Sequence, residues 1–266
     1  MAIRIPSLSL FRPLCFIGFS SSAGKVELVT IPTVAPMPES WFTPIDSYCE
    51  RLGVGFWAEP LNAVSNAAFI AAALYALALW RRAGARDWPA LWLITVTFVV
   101  GTGSFLFHTF ANRWSLLADV LPIAVFIYSY FLLAMRRYLG LGPFVAVGVT
   151  ALFMAFNMSF DRLWFGAFPG QTLNGSVGYV PAALALLAVG SVCLISGGKE
   201  AGRALLAAAC VFILSLLFRS IDHAMCATIP AGTHFLWHGL NALVLFILMK
   251  AAIAHWARNG VTIAQS

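Results

Sequence analysis

Charge is what this chain has least of. Asp, Glu, Lys and Arg make up 10% of its 266 residues and 61% are hydrophobic. A soluble domain carries about 25% charged residues, so a soluble globule is excluded. Paired cysteines are missing as well: Cys15, Cys49, Cys193, Cys210 and Cys226 include no CxxC, which argues against a sulfur-ligated zinc. Nor is there a basic patch. The formal net charge is +6, but the Lys and Arg residues stand in scattered pairs between apolar runs. That pattern signals membrane topology and gives no footing for nucleic acid.

Long hydrophobic runs are abundant. Seven candidate spans stand out, at about 60–80, 89–110, 117–135, 142–158, 176–196, 203–221 and 233–254; a crossing needs about 20 apolar residues. The breaks hold Arg81, Arg82 and Arg86, then Asn112 and Arg113, then Arg136 and Arg137, then Asp161 and Arg162, then Lys199 and Arg203, and finally Asp222 to Gly232. Breaks this short join antiparallel neighbours. The expectation is an all-α, integral membrane seven-transmembrane helix bundle over residues 46–256, between an N-terminal extension (1–45) and a cytoplasmic tail (257–266). The first, third and fifth breaks and the C-terminal Lys250 and Arg258 carry most of the positive charge. The positive-inside bias then predicts an N-terminus outside and a C-terminus in the cytoplasm. Within the extension, Arg4 and Arg12 precede the short apolar run Leu14 to Phe19, a signal-like segment or a mis-assigned start that is too short to span.

The few ionisable groups near the spans cluster. Charged side chains inside a span cost about 2.5–3.5 kcal/mol each and usually face the bundle interior. Glu59 opens span 1, His108 closes span 2, Asp119 starts span 3, Asp222 and His223 close span 6, and His234 and His238 open span 7. All fall towards one face. His234 and His238 are four residues apart and therefore share a helical face. With His108 at the same depth they form a three-histidine set, which leaves one position of a tetrahedral zinc open, as catalytic sites require. Ser104 lies one turn before His108, where its hydroxyl can donate to a developing oxyanion. Asp119 returns to the same level on the next helix as a general base and acid. Each has an ordinary alternative, an interfacial histidine or a serine bonded back to its own helix, and the shared depth is what favours the metal. Asp222 reads as a cap or a partner for Arg219. His223 and His255 read as interfacial residues, and Trp57, Trp114, Trp164 and Trp256 as a membrane-interface belt.

Three blocks carry a family resemblance: EPLNAVSNAAF from Glu59, GTGSFLFHTFANRWSLLADVLP from Gly101, and RSIDHAMC with HFLWH between Arg219 and His238. In this order and spacing the chain resembles the alkaline ceramidase family of seven-helix membrane hydrolases, grouped with progestin and adiponectin receptors and GPI-lipid remodelling proteins. The resemblance implies zinc on His108, His234 and His238, water activation by Asp119 and oxyanion stabilisation by Ser104. It also implies a disulfide between Cys49 and Cys226. A calcium site before helix 1 is implied too, with Asp46, Glu50 and Glu59 at similar acidic positions. The segment from Cys49 to Glu59 is two residues shorter than the family's, however, and Arg51–Leu52–Gly53 replaces a ligand-bearing stretch, which counts against calcium. The family's Asp-Glu-Leu-Pro is here Asp119–Val120–Leu121–Pro122. The expected activity is hydrolysis of a ceramide-like membrane lipid to a fatty acid and a sphingoid-type amine. A lipid receptor or sensor, and an ester or GPI-lipid remodelling hydrolase with the same site, are the alternatives.

Overall fold

The computed structural model describes residues 40–264, with side chains through Arg258. The signal-like segment lies outside the described residues. Two consecutive helices, α1 (Pro60–Ser65) and α2 (Ala67–Arg82), form the first span. They are followed by α3 (Trp88–Phe110), α4 (Arg113–Arg137), α5 (Pro143–Ala167), α6 (Val180–Ile195), α7 (Lys199–Met225) and α8 (His234–Ala264). Among the described residues seven helical stretches of 19 to 27 residues are long and apolar enough to cross a bilayer. The protein is an all-α, multi-pass membrane bundle of seven spans. α2 packs against both α3 and α8, α4 against α3, and α7 against α6 and α8.

Several charged residues expected in the breaks lie inside helices. α5 runs through Asp161 and Arg162 to Ala167, because two charges at the end of an apolar run do not stop a helix, whereas the approach of Pro169 does. α7 likewise includes Lys199, Arg203, Asp222 and His223. α8 continues through most of the segment expected as a tail, as far as Ala264.

Local chemistry sets the helix ends that matter for the site. Asn112 caps α4 in a capping box with Ser115. The tight corner before it holds Ala111 in the left-handed region, at φ 41°. Pro122 lies inside α4 and cannot donate to the carbonyl of Ala118 one turn earlier. That carbonyl faces Gly103 of α3, where even a β-carbon would stand 1.9 Å from the oxygen. Glycine is therefore what lets α3 and α4 close together, and the contact sits one residue from Ser104 on one helix and from Asp119 on the other.

At the opposite end of the bundle an ion pair fastens three helices. The Arg137 guanidinium donates to both carboxylate oxygens of Asp87 at 2.8 Å and to the carbonyl of Ala252 at 3.0 Å. Asp87 also accepts from Ala90 N at the start of α3. This ties α3, α4 and α8.

Candidate metal centre

The site lies at the end of the bundle where α3 stops and α4 and α8 begin. His108, His234 and His238 are each at most 1% exposed, and one ligand nitrogen from each lies within 4.8 Å of the others. The third block therefore meets the second in space, as two turns of α8 against the last turn of α3.

Hydrogen bonds fix which nitrogen each ring offers. His108 Nδ1 lies 2.5 Å from Glu59 Oε2, and a carboxylate only accepts, so the proton is on Nδ1 and Nε2 carries a lone pair. His238 Nδ1 lies 2.7 Å from Ser65 Oγ. That hydroxyl spends its single proton on the carbonyl of Asn62 at 2.8 Å, so it accepts from His238 and again leaves Nε2 with a lone pair. Both Nε2 atoms, and His234 Nδ1, are buried without any hydrogen-bond partner. A buried polar atom left unpaired costs roughly 1–3 kcal/mol, and three of them converging are what a bound cation would satisfy. The donor set, three imidazoles of which His108 and His238 are oriented by outer hydrogen bonds, fits zinc.

Glu59 is held in turn. Besides His108 it accepts from Arg51 Nε and from Asn62 Nδ2. Burial alone would raise its carboxyl, but the hydrogen bonds of His108 and Arg51 and the Arg51 charge outweigh that and hold it below the usual carboxylate value. Tyr48 covers the other side, its ring stacked on His234 with centroids 3.6 Å apart. Burial pushes the Tyr48 phenol upward, so it stays neutral. Its oxygen accepts from Arg219 at 2.8 Å, and the Arg219 guanidinium lies 5.3–5.7 Å from the ring centres of Tyr48, Tyr179 and Trp237.

Ser104 and Asp119 complete the group. Both are buried, and the serine side chain lies beside the carboxylate, near the guanidinium charge of Arg219. The five residues named from the sequence are thus brought to one end of the bundle.

The remaining sequence candidates separate. Cys49 and Cys226 form a disulfide spanning 177 residues. Asp222 does not pair with Arg219. Its carboxylate accepts from the backbone of Cys49 at 3.0 Å, Thr233 at 2.6 Å and His234 at 2.9 Å, which caps α8 and anchors the segment before α1. Gly232 makes room: its φ is +64° and a β-carbon there would lie 2.1 Å from the Asp222 oxygen. The three acids expected around calcium do not converge. Asp46 is exposed, Glu50 caps α1 through Leu61 N and Asn62 N, and Glu59 faces a guanidinium. The other cluster of metal-ligating residue types among the described residues is Cys49, His223 and Cys226, and its cysteines are spent in the disulfide.

Sequence reasoning missed Tyr48 and Arg51, and it gave Ser65 no role although the first block contains it. Arg51 carried a signal, the one base between Lys25 and Arg81, eight residues before the acid Glu59.

An apolar cavity opens beneath the site. Its free volume is about 70 Å³, well under the ~300–1,000 Å³ of an open drug-sized site. Its lining includes Val100, Ile123 and Asn241. These lie one helical turn deeper than Ser104, Asp119 and His238 on their respective helices. The cavity therefore begins one helical turn inward from the candidate centre, whose own residues do not line it. No family model matches the chain, and neither does any curated protein.

Proposed function

We propose that this protein is a zinc-dependent intramembrane amide hydrolase of the alkaline ceramidase type, cleaving ceramide-like lipids to a fatty acid and a sphingoid-type amine. The observation that carries the reading is the set of three buried, unpartnered imidazole nitrogens with a serine and a carboxylate beside them, one helical turn from an apolar cavity.

His108, His234 and His238 would hold the ion. When bound, zinc supplies Lewis acidity that polarises the amide carbonyl and makes water more acidic. The chain's own residues do the rest. Glu59 and Ser65 keep two imidazoles in the required tautomer. The Asp119 carboxylate takes the proton of the attacking water as its oxygen bonds to the carbonyl carbon. As the C–N bond breaks, Asp119 returns that proton to the leaving amine. Ser104 donates its hydroxyl to the carbonyl oxygen, where negative charge develops. The cavity walls take the lipid chain and keep bulk water out.

The same reading puts the site on the outer face, with the C-terminus cytoplasmic. The basic residues of Arg81 to Arg86, Arg136, Arg137, Lys199 and Arg203 lie at the far end, and the disulfide lies at the site end, where oxidation is favoured.

Purified protein in detergent should contain one zinc per chain and release fatty acid from a fluorescent ceramide. His234→Ala should lose the metal, and Asp119→Ala should keep the metal but lose hydrolysis. Stoichiometric ceramide binding without product would replace the hydrolase by a receptor. Cleavage of a matched ester in preference to the amide would make it an esterase.

A further inference from the structure

Asn241 is out of place among the walls of the cavity. Its neighbours there are hydrocarbon or aromatic, among them Val100, Ile123, Phe126 and Leu245. The residue is 5% exposed, yet its side chain makes no hydrogen bond to any described residue. Nor are its amide atoms sealed in protein as the unpartnered histidine nitrogens are. What little of the side chain remains accessible faces the cavity. A carboxamide with two donors and two acceptor sites, desolvated and unpaired, is costly to keep in a bilayer-buried wall, and Leu or Val would pack there at no such cost.

Its place relative to the metal centre sets what could pair with it. Asn241 follows His238 by one helical turn, about 4.5 Å along α8. A scissile carbonyl held at the three histidines would place only the first few atoms of an attached chain level with the amide. An unsubstituted hydrocarbon chain would leave Asn241 unsatisfied. A hydroxyl on one of the first carbons would pair with it.

Resting on the hydrolase reading above, we infer that Asn241 selects lipids whose chain carries a hydroxyl close to the amide, and that the hydroxyl belongs to the acyl chain entering the cavity. Discrimination of this kind is strong because a buried polar wall penalises the analogue that lacks the group.

The test begins with binding, which needs no turnover. The zinc-loaded protein in detergent is titrated with a long-chain fatty acid and with its 2-hydroxy and 3-hydroxy counterparts. At least one hydroxylated acid should bind about tenfold tighter than the plain one. Equal affinities on the unaltered chain overturn the inference without any variant. In Asn241→Leu, with zinc content unchanged as the folding control, the preference should collapse to within about twofold; a preference that persists overturns it. Hydrolysis is then compared for amides of one simple alkylamine bearing the same three acyl chains, and for a plain acyl chain on an amino-alcohol. A rate preference that follows the acyl hydroxyl supports the assignment, and one that follows only the amine hydroxyl overturns it. If no amide is cleaved while the binding preference holds and depends on Asn241, the hydrolase reading fails and the hydroxyl-selective pocket stands.

Discussion

Replacing Gly103 by alanine isolates the contact that sets the distance between Ser104 and Asp119. The new β-carbon would stand 1.9 Å from the carbonyl oxygen of Ala118 and 2.7 Å from its carbon. Both are backbone atoms, so no side chain can swing aside. Reaching 3.4 Å, where ordinary contact begins, requires α3 and α4 to part by about 1.5 Å at this level. Overpacking of this kind costs about 1–3 kcal/mol. Misplacing reacting groups by about 1 Å costs on the order of 100-fold in rate. Gly103→Ala should therefore unfold at lower temperature in detergent and hydrolyse ceramide about 100-fold more slowly. Gly148→Ala is the control: it lies mid-helix in α5 with nothing within 4 Å of the added carbon, so it should be neutral or stabilising by up to about 1 kcal/mol. If Gly103→Ala matched the wild type in melting and rate, the close approach of α3 and α4 at the site would be refuted.

Other outcomes follow from the same geometry. Glu59→Gln, which removes the carboxylate acceptor for His108, should weaken zinc binding about 10- to 100-fold in competition with a chelator; unchanged affinity would mean Glu59 does not orient the ligand. Asp87→Asn leaves the Arg137 guanidinium without its countercharge at the far end of the bundle. It should lower stability by about 3–5 kcal/mol in denaturant melts while zinc content per folded chain stays the same. Cys49→Ser should cost about 2–4 kcal/mol and abolish the mobility difference between reduced and non-reduced protein on a gel. Acidification should strip zinc as the imidazoles protonate, with proton uptake on metal release, and a metal content independent of pH would exclude histidine ligation.

The bundle was legible because its signal is long and repeated: each span is an apolar run bounded by Gly, Pro or charge. The paired histidines of α8 were legible from their i,i+4 spacing, and His108 from its depth at the end of α3. Asp119 and Ser104 followed because both lie within one helical turn or one short corner of His108. What could not be read was anything fixed by contact across the bundle. Nothing local says that Arg51 turns onto Glu59, that Tyr48 lies flat on His234, or that Ser65 decides the tautomer of His238. Asp222 was read as a cap or a partner for Arg219, and the structure has the cap: its carboxylate accepts from the backbone of Thr233 and His234, and also of Cys49 across the bundle. The end of α5 was misplaced because hydropathy registers the charges of Asp161 and Arg162, while a helix stops only where its backbone can no longer continue.

The carboxylate of Asp222 joins the stretch before the first span to the start of the last one. Tyr48, Arg51 and Glu59 emerge from the ribosome early, and His234 and His238 emerge near the end. If the histidines hold zinc as proposed, a half-made chain in the insertion machinery has no means of retaining it. Loading would then wait until all seven spans are inserted, and a truncated product would be inert before any quality control had acted on it.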